Sequence, residues 1–254
     1  MEATGRELDG KVAIVTGARS NLGRAFAVGL ARNGANVLVH YHRAKSRAEA
    51  EETARQVTAQ GVKAVLFEGD LSVVANIRKM YDTAVNELGR VDIVVNNAGF
   101  IRKAPMVEIT EAEFDQAFGI NAKAMFFSMQ EAARRISDNG RIINIGTSLL
   151  GATTGLYSVY AGSKAPLEAF TRALAKEIGK RGVTVNTVAP GAVDTPFFHS
   201  QETSQVVEYI KQAHASGRLA TADDIVGTIE FLASPRAAWI SAQTIFVNNA
   251  YLAR

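Results

Sequence analysis

The chain has 254 residues, of which 47% are hydrophobic and 21% charged, values close to those of globular proteins and sufficient for one α/β domain with a large core. The positive charges behind the net charge of +3 are dispersed along the chain, and the sequence contains no recognisable nucleic-acid-binding motif. We therefore expect no nucleic-acid partner. The absence of cysteine excludes disulfides, thiolate zinc sites and cysteine nucleophiles, and the four histidines lack metal-ligand spacing, so no metal is expected.

Residues 1–10 are expected to form an N-terminal tail before a single domain over 11–254. The tail has acidic residues and glycines but no apolar run typical of a signal peptide. No apolar run elsewhere approaches the ~18 residues that cross a bilayer. We therefore expect no membrane partner and a cytoplasmic location.

Short apolar runs alternate with helical segments along the chain. The predicted strands are 12–16, 36–40, 64–68, 91–95, 141–145, 184–189 and 244–247. The predicted helices are 22–33, 46–60, 73–88, 110–136, 157–180 and 222–233. This alternation predicts an α/β fold with a doubly wound parallel sheet, covered by helices on both faces, whose ligands bind beyond the carboxyl ends of its strands.

The first predicted strand ends in a turn of small residues that leads directly into a helix. Backbone N–H groups at a helix N-terminus favour a bound phosphate, and glycine lets the chain approach it closely. The turn therefore predicts a pyrophosphate site, although an ordinary strand-to-helix turn has a similar appearance. Its candidate binding residues are Gly17, Arg19, Ser20, Asn21 and Leu22.

The end of the second predicted strand carries cations and no acid. An acidic side chain here commonly binds the adenosine ribose of NAD and would repel a 2′-phosphate. This chain instead has His40, Tyr41, Arg43 and Lys45, and Arg19 lies in the preceding turn. The pattern favours NADP(H) over NAD(H), with exposed loop cations as the alternative interpretation.

Several motifs in order resemble the short-chain dehydrogenase/reductase family, in particular its 3-oxoacyl reductase-like members. They are the glycine turn at 16–23, the NNAG sequence at 96–99, the YxxxK sequence at 160–164 and the PGxxxT-like segment at 190–195. One position departs from the family pattern, because Asn21 replaces the middle glycine of the turn. Asparagine is the residue other than glycine that most readily adopts a positive φ, so the turn can persist.

The resemblance implies a Rossmann fold and further cofactor contacts. Asp70 and Leu71 are expected at the adenine. The chain is expected to pass close to the cofactor at Asn97, Ala98 and Gly99. The nicotinamide amide is expected near Pro190, Gly191, Val193 and Thr195.

The YxxxK motif implies a catalytic set of Asn121, Ser148, Tyr160 and Lys164, with Tyr160 and Lys164 also touching the cofactor. The four-residue spacing places Tyr160 and Lys164 on one face of a helix. We expect Lys164 to lower the pKa of Tyr160 and to bind the nicotinamide ribose. Tyr160 would protonate the alkoxide that forms as hydride reaches a carbonyl carbon. Ser148 would donate a hydrogen bond to the substrate oxygen, and Asn121 would hold a water for proton relay, or else mark a helix kink.

The serine assignment depends on two counts that disagree. Gly151, three residues on, aligns Ser148 with the family serine. Ser148 lies twelve positions before Tyr160, one fewer than the commonest spacing in the family, which Thr147 would restore. We assign the role to Ser148.

Residues 196–218 contain apolar side chains and are expected to form a substrate lid, although an amphipathic surface helix has the same pattern. Other expected wall residues of the substrate pocket are Ile101, Leu149, Leu150 and Tyr157. Near the end of the chain, Asn249-Ala250 stands where paired glycines are frequent in the family, which puts the local turn in doubt. The resemblance implies a homotetramer, with a dimer as the alternative.

The sequence thus predicts an NADP(H)-dependent carbonyl reductase or alcohol dehydrogenase acting on a small carbonyl or alcohol substrate. Two substrate classes remain open: a 3-oxoacyl thioester, or a ketone, sugar or polyol. An NAD-dependent sugar or polyol dehydrogenase is one alternative within the second class. A catalytically idle nucleotide-binding regulator is the alternative from another class. The complete catalytic set argues against it, because a binding module needs no proton donor.

Overall fold

The computed structural model describes residues 6–152 and 154–253. Its strands are β1 (Val12–Val15), β2 (Asn36–Tyr41), β3 (Ala64–Glu68), β4 (Ile93–Asn96), β5 (Arg141–Ile145), β6 (Thr184–Pro190) and β7 (Thr244–Val247). Its helices are α1 (Asn21–Arg32), α2 (Arg47–Thr58), α3 (Val74–Leu88), α4 (Glu111–Phe118), α5 (Ala124–Arg135), α6 (Ser158–Lys164), α7 (Pro166–Ile178), α8 (Pro196–His199), α9 (Ser204–Ala213) and α10 (Ala222–Ala233).

The seven strands form one parallel sheet in the order β3-β2-β1-β4-β5-β6-β7. β1 pairs with β2 on one side and with β4 on the other, so the strand order reverses between β1 and β4. This crossover opens a crevice at the carboxyl ends of the strands, which is where open α/β sheets bind ligands. The predicted doubly wound α/β fold in a single domain is confirmed.

Two hydrophobic cores lie on the two faces of the sheet. On one face α1 packs against α2 and α10, and on the other α5 packs against α3 and α7. The central strands β1, β4 and β5 are buried along their whole length. Their continuous apolar sequences follow from this burial on both sides. The sheet is consequently a rigid base for the loops at its carboxyl edge.

Two predicted helices are interrupted in the structure. The segment predicted as one helix over 110–136 contains a π turn, Gly119–Lys123, between α4 and α5. The segment predicted as one helix over 157–180 divides into α6 and α7 at Pro166, which has no N–H to continue the hydrogen-bond ladder. Apolar periodicity misses both breaks because the backbone keeps right-handed helical dihedral angles at the junctions.

The described part of the predicted tail, residues 6–10, packs against the domain, while residues 1–5 lie outside the described residues. Leu8 is 2% exposed, and its N–H donates to the Asn33 carbonyl at 2.9 Å. Within the described residues, no helix has the length and apolar character required to cross a membrane.

Candidate active site

The turn after β1 has no room for side chains at its two glycines, Gly17 and Gly23. Gly17 has φ +64°, and a Cβ built on Gly23 would lie 2.2 Å from the Gly17 carbonyl oxygen. Asn21 has φ +51°, the left-handed conformation expected for it at this position. The turn therefore keeps its free N–H groups at the N-terminus of α1 despite the missing glycine.

The NNAG segment after β4 holds this turn in place. The Thr16 hydroxyl accepts hydrogen bonds from the N–H groups of Asn97 and Ala98, both at 2.9 Å. The Asn97 amide donates back to the Thr16 carbonyl at 3.0 Å and to the Gly17 carbonyl at 3.3 Å. β1 and β4 are thus joined at the crossover, and these hydrogen bonds hold the glycine turn in place.

His40 supports the same turn from β2. Its Nδ1 accepts from the Gly17 N–H at 2.9 Å, so its Nε2 carries the proton and donates to the Gly69 carbonyl at 2.9 Å. Its side chain is buried, and burial lowers its pKa to about 4. His40 borders the cavity, but both ring nitrogens bind protein groups, so it positions the turn.

We expect this buried imidazole to make the fold sensitive to acid. Its pKa is lowered on folding, so its contribution to stability is present above pH 6.5 and is lost as the pH falls towards 4. The loss in the free energy of unfolding should approach about 3 kcal/mol at pH 4, since one pKa unit corresponds to about 1.4 kcal/mol. Urea unfolding of the wild type and of His40→Asn between pH 7 and pH 4 measures it. The variant keeps an acceptor for Gly17, and identical pH dependence in both proteins would contradict the prediction.

The cationic residues after β2 differ in their availability. Arg43 is exposed at the cavity and forms no ion pair with a described residue. Arg19 also borders the cavity but pairs with Glu49 of α2. Lys45 is exposed and is not among the described residues of the cavity wall. Arg43 is therefore the cation best placed to receive an anionic group.

Tyr160 and Lys164 lie on one face of α6, as predicted, and both side chains are buried. Burial raises the pKa of Tyr160 to about 12, against a smaller lowering by the Thr147 hydroxyl. Burial lowers the pKa of Lys164 to about 8, and its ammonium donates to the Ile145 carbonyl at 2.7 Å. The expected lowering of the Tyr160 pKa by Lys164 is not found here, because burial dominates both groups.

The two hydroxyls after β5 face different partners. Ser148 Oγ donates to the Ala189 carbonyl at 3.0 Å and accepts from the Asn248 amide at 3.2 Å. The Thr147 hydroxyl lowers the pKa of the Tyr160 phenol slightly, and it accepts from the Leu149 N–H at 3.3 Å. Both residues border the cavity, but Ser148 is bonded to protein groups on two sides, whereas Thr147 is the one that influences the Tyr160 hydroxyl.

Asn121 lies in the π turn, is fully buried and does not appear among the described residues of the cavity wall. Its Oδ1 accepts from the Phe100 N–H at 2.9 Å, and its Nδ2 donates to the Phe100 carbonyl at 2.7 Å and to Ser163 Oγ at 2.9 Å. A Cβ on Gly99 would lie 3.4 Å from Asn121 Oδ1 and 3.6 Å from Lys164 Nζ. Asn121 therefore joins the NNAG loop to α6 close to Lys164.

The predicted cofactor residues border one cavity of about 1120 Å³. They are Gly17, Arg19, Ser20, Asn21, Leu22, His40, Tyr41, Arg43, Asp70, Leu71, Asn97, Ala98, Gly99, Tyr160, Lys164, Pro190, Gly191, Val193 and Thr195. The glycine turn follows β1 and α6 follows β5, so the two lie on opposite sides of the crossover in the sheet. The residues present fit an elongated dinucleotide, because its phosphates require a cradle without Cβ atoms and a helix N-terminus.

The predicted lid, residues 196–218, supplies α8 and α9 to the other end of the cavity. Its wall there is largely aromatic and aliphatic, as expected for an apolar substrate. The predicted residues that border it are Ile101, Leu149, Tyr157, Phe197, Phe198, Val206, Tyr209 and Ile210. Leu150 is not among the described wall residues.

Comparison with known proteins identifies the family. A family model described as enoyl-(acyl carrier protein) reductase matches residues 17–251. The short-chain dehydrogenase/reductase GME11373 of Pestalotiopsis microspora is 38% identical over 254 residues, 95% of this chain and 95% of its own. This chain belongs to the short-chain dehydrogenase/reductase family. It is an oxidoreductase of that family.

Solved structures share the architecture of this dehydrogenase/reductase. A protein from Burkholderia cenocepacia, solved with bound NADP, matches with a TM-score of 0.94 at 42% identity, covering 99% of this chain and 97% of its own. The angucycline C-6 ketoreductase LanV, also solved with bound NADP, matches with a TM-score of 0.91 at 33% identity, covering 99% of each chain.

This dehydrogenase/reductase retains a tight turn where the family's paired glycines are replaced. Asn249 and Ala250 have φ +47° and +57°, so both adopt the conformation that glycine favours. The Asn249 carbonyl accepts from Ala215 N–H at 3.0 Å, and its side chain accepts from Ser216 N–H at 2.6 Å. These bonds join the last strand to the end of the lid.

Two pairs of contacting wall residues in this dehydrogenase/reductase escaped sequence reasoning. Lys103 and Glu202 meet across the cavity, and the Tyr251 ring stacks on His214 with centroids 5.2 Å apart. No motif marks these pairs, because each joins segments far apart in the chain. Their only sequence indication is that Glu202 and His214 fall within the predicted lid.

Proposed function

We propose that this enzyme is an NADP(H)-dependent reductase that converts a ketone to a secondary alcohol, with Tyr160 as general acid. One observation carries the proposal: the buried Tyr160 and Lys164 face the same cavity as the phosphate-binding turn, with an apolar lid opposite. This arrangement can hold a nicotinamide and a carbonyl side by side. The NADP-bound relatives and the ketoreductase among them support it.

The chain's own residues account for the fit to NADP(H). The turn from Gly17 to Leu22 would hold the pyrophosphate, and Arg43 would bind the 2′-phosphate through a charge-assisted hydrogen bond. Pro190 to Thr195 would hold the nicotinamide amide. The bound cofactor supplies the hydride, and the protein supplies its orientation.

Tyr160 is suited to donate a proton in the reducing direction. With a pKa of about 12 its hydroxyl stays protonated at neutral pH, so it can protonate the carbonyl oxygen as negative charge develops there. Lys164, with a pKa of about 8, is mostly charged at neutral pH and would bind the ribose of the cofactor. Asn121 would act as a positioning residue for Lys164 through the NNAG loop.

The hydrogen bond to the substrate oxygen is proposed for Thr147. The Ser148 hydroxyl already donates to Ala189, whereas the Thr147 hydroxyl lies beside the phenol that protonates the same oxygen. A donor on this side strengthens its bond as the alkoxide forms. Ser148, chosen from the glycine alignment, would then support the loop by joining β6 to Asn248.

A coupled assay tests the function and the cofactor together. We expect NADPH oxidation with some members of a panel of β-ketoesters, diketones, quinones, aromatic ketones and acyl thioesters. kcat/KM for NADPH should exceed that for NADH by roughly 10- to 100-fold, because a hydrogen bond to a charged group contributes about 1.5–3 kcal/mol. Arg43→Asp should remove this preference.

Lys45→Asp is the matched control, because it changes the same charge on the same loop away from the cavity wall. It should keep the preference for NADPH. Equal use of both cofactors by the wild type would contradict the NADP(H) assignment. NADPH binding without turnover of any substrate would favour the idle regulator.

We also propose that the enzyme forms a homotetramer. An aromatic side chain remains exposed on α5, where Phe126 is 42% exposed and stacks edge-on against the partly buried Phe170 of α7. Symmetric contacts between copies bury such faces. A monomeric mass in sedimentation would contradict this proposal.

A further inference from the structure

Glu202, between α8 and α9 of the lid, is a carboxylate enclosed by the substrate end of the cavity. Its side chain is 1% exposed. Each oxygen has its own donor: Oε2 accepts from Lys103 Nζ, and Oε1 accepts from the Tyr157 hydroxyl. A buried carboxylate needs such partners, because leaving one unpaired in a dry site is costly.

The three residues belong to three separate segments. Lys103 lies in the loop after β4, Tyr157 immediately precedes α6, and Glu202 lies in the lid. Lys103 Nζ is 5.4 Å from the centre of the Tyr157 ring, and the Lys103 N–H donates to Gln201 Oε1 at 3.0 Å. The contacts join the lid to both walls of the cavity. We call Glu202, Lys103 and Tyr157 the Glu202 latch.

The Glu202 latch lies one helical turn from the reacting phenol. The rings of Tyr157 and Tyr160 are 6.1 Å apart and tilted by 59°. Burial and the bond to Glu202 raise the pKa of Tyr157, so its hydroxyl remains a donor to the lid. The bond from Tyr157 to Glu202 therefore ties the lid to the beginning of α6.

We propose that Glu202 is a positioning residue that holds the lid closed over the ketone and fixes Tyr157 as a wall of the substrate chamber. This inference rests on the proposed ketone reduction. The paired charges leave the latch neutral when the lid is closed, and opening the lid separates them. The latch thereby sets the equilibrium between the open and the closed lid, and this equilibrium sets the affinity for the ketone. Glu202 itself takes no part in the chemical step.

Amide hydrogen exchange over residues 196–218, combined with steady-state kinetics, tests the latch. Glu202→Gln and Lys103→Met each leave a buried charge unpaired, so lid exchange should quicken by about 10-fold or more. KM for the ketone should rise by a similar factor while kcat changes much less. The double variant, which removes both charges, should recover most of the wild-type protection.

Glu208→Gln is the matched control, because Glu208 lies on the same lid, is 60% exposed and pairs only with Lys211 among the described residues. It should exchange like the wild type. Tyr157→Phe removes one donor to Glu202 and keeps the ion pair, so it should quicken lid exchange to an intermediate extent. It also keeps the proposal testable if Glu202→Gln or Lys103→Met fails to fold.

Lid exchange in Glu202→Gln equal to that in Glu208→Gln would overturn the proposal. Losses that simply add in the double variant would also overturn it. Hydrogen exchange requires no turnover, so its result is independent of the activity assay. If the protein reduced no ketone, the proposed function would be refuted, and the exchange data would still decide whether the latch closes the lid.

Discussion

Tyr160→Phe is expected to lower kcat for ketone reduction by about 10³-fold, within the range attributed to a positioned general acid. The substitution removes the hydroxyl that would protonate the carbonyl oxygen and keeps the buried ring. NADPH affinity, measured by fluorescence titration, should change little, because the proposed phosphate-binding turn after β1 and Arg43 after β2 lie across the crossover from α6. A fall in kcat at unchanged Kd is the pattern of an interaction made in the transition state.

Tyr209→Phe is the matched control for this experiment. Its side chain borders the same cavity from the lid but is 72% exposed, so losing its hydroxyl should leave kcat nearly unchanged. Turnover by Tyr160→Phe within tenfold of the wild type would rule out the proton-transfer role.

Thr147→Val is expected to lower kcat by about 10²-fold, the usual loss on removing one donor to a developing oxyanion. Valine keeps the shape of the side chain, so the loss would report the hydroxyl alone. Thr147→Ser should retain most of the activity. Single-turnover rates at saturating NADPH would measure the chemical step without product release.

Ser148→Ala separates the two assignments. If Ser148 only joins Ala189 to Asn248, the variant should lower thermal stability more than it lowers the rate. A greater loss of rate in Ser148→Ala than in Thr147→Val would return the role to Ser148.

The sheet was predictable from the sequence because each strand has a local and unambiguous pattern. Runs such as Val12–Val15 are apolar at every position, which only burial on both faces explains. The break at Pro166 has a local signal in the proline itself, which apolar periodicity alone does not reveal. The break near Asn121 has no such signal. A π turn depends on side-chain contacts such as those of Asn121 with Phe100 and Ser163, which join distant parts of the chain.

The parts of the candidate site that are formed by backbone motifs were predictable from the sequence. The parts that depend on the direction of individual side chains were less predictable. The glycine turn, NNAG and YxxxK segments meet at one cavity as expected. The choice between Thr147 and Ser148 depends on how the chain leaves β5, and two sequence counts gave opposite answers. Lys103 and Glu202 are 99 residues apart, so no local pattern could pair them.

The π turn also affects how the chain length can vary. A π turn holds one residue more than the α-helical turn it replaces, so a single deletion within Gly119–Lys123 would restore regular helix and leave α4 and α5 with the same faces towards the sheet. A deletion elsewhere in α5 would instead rotate the rest of the helix by about 100° and turn its apolar face away from the sheet. A one-residue gap in the π turn would thus spare the core and remove the wide turn that places Asn121 against Phe100 and Ser163.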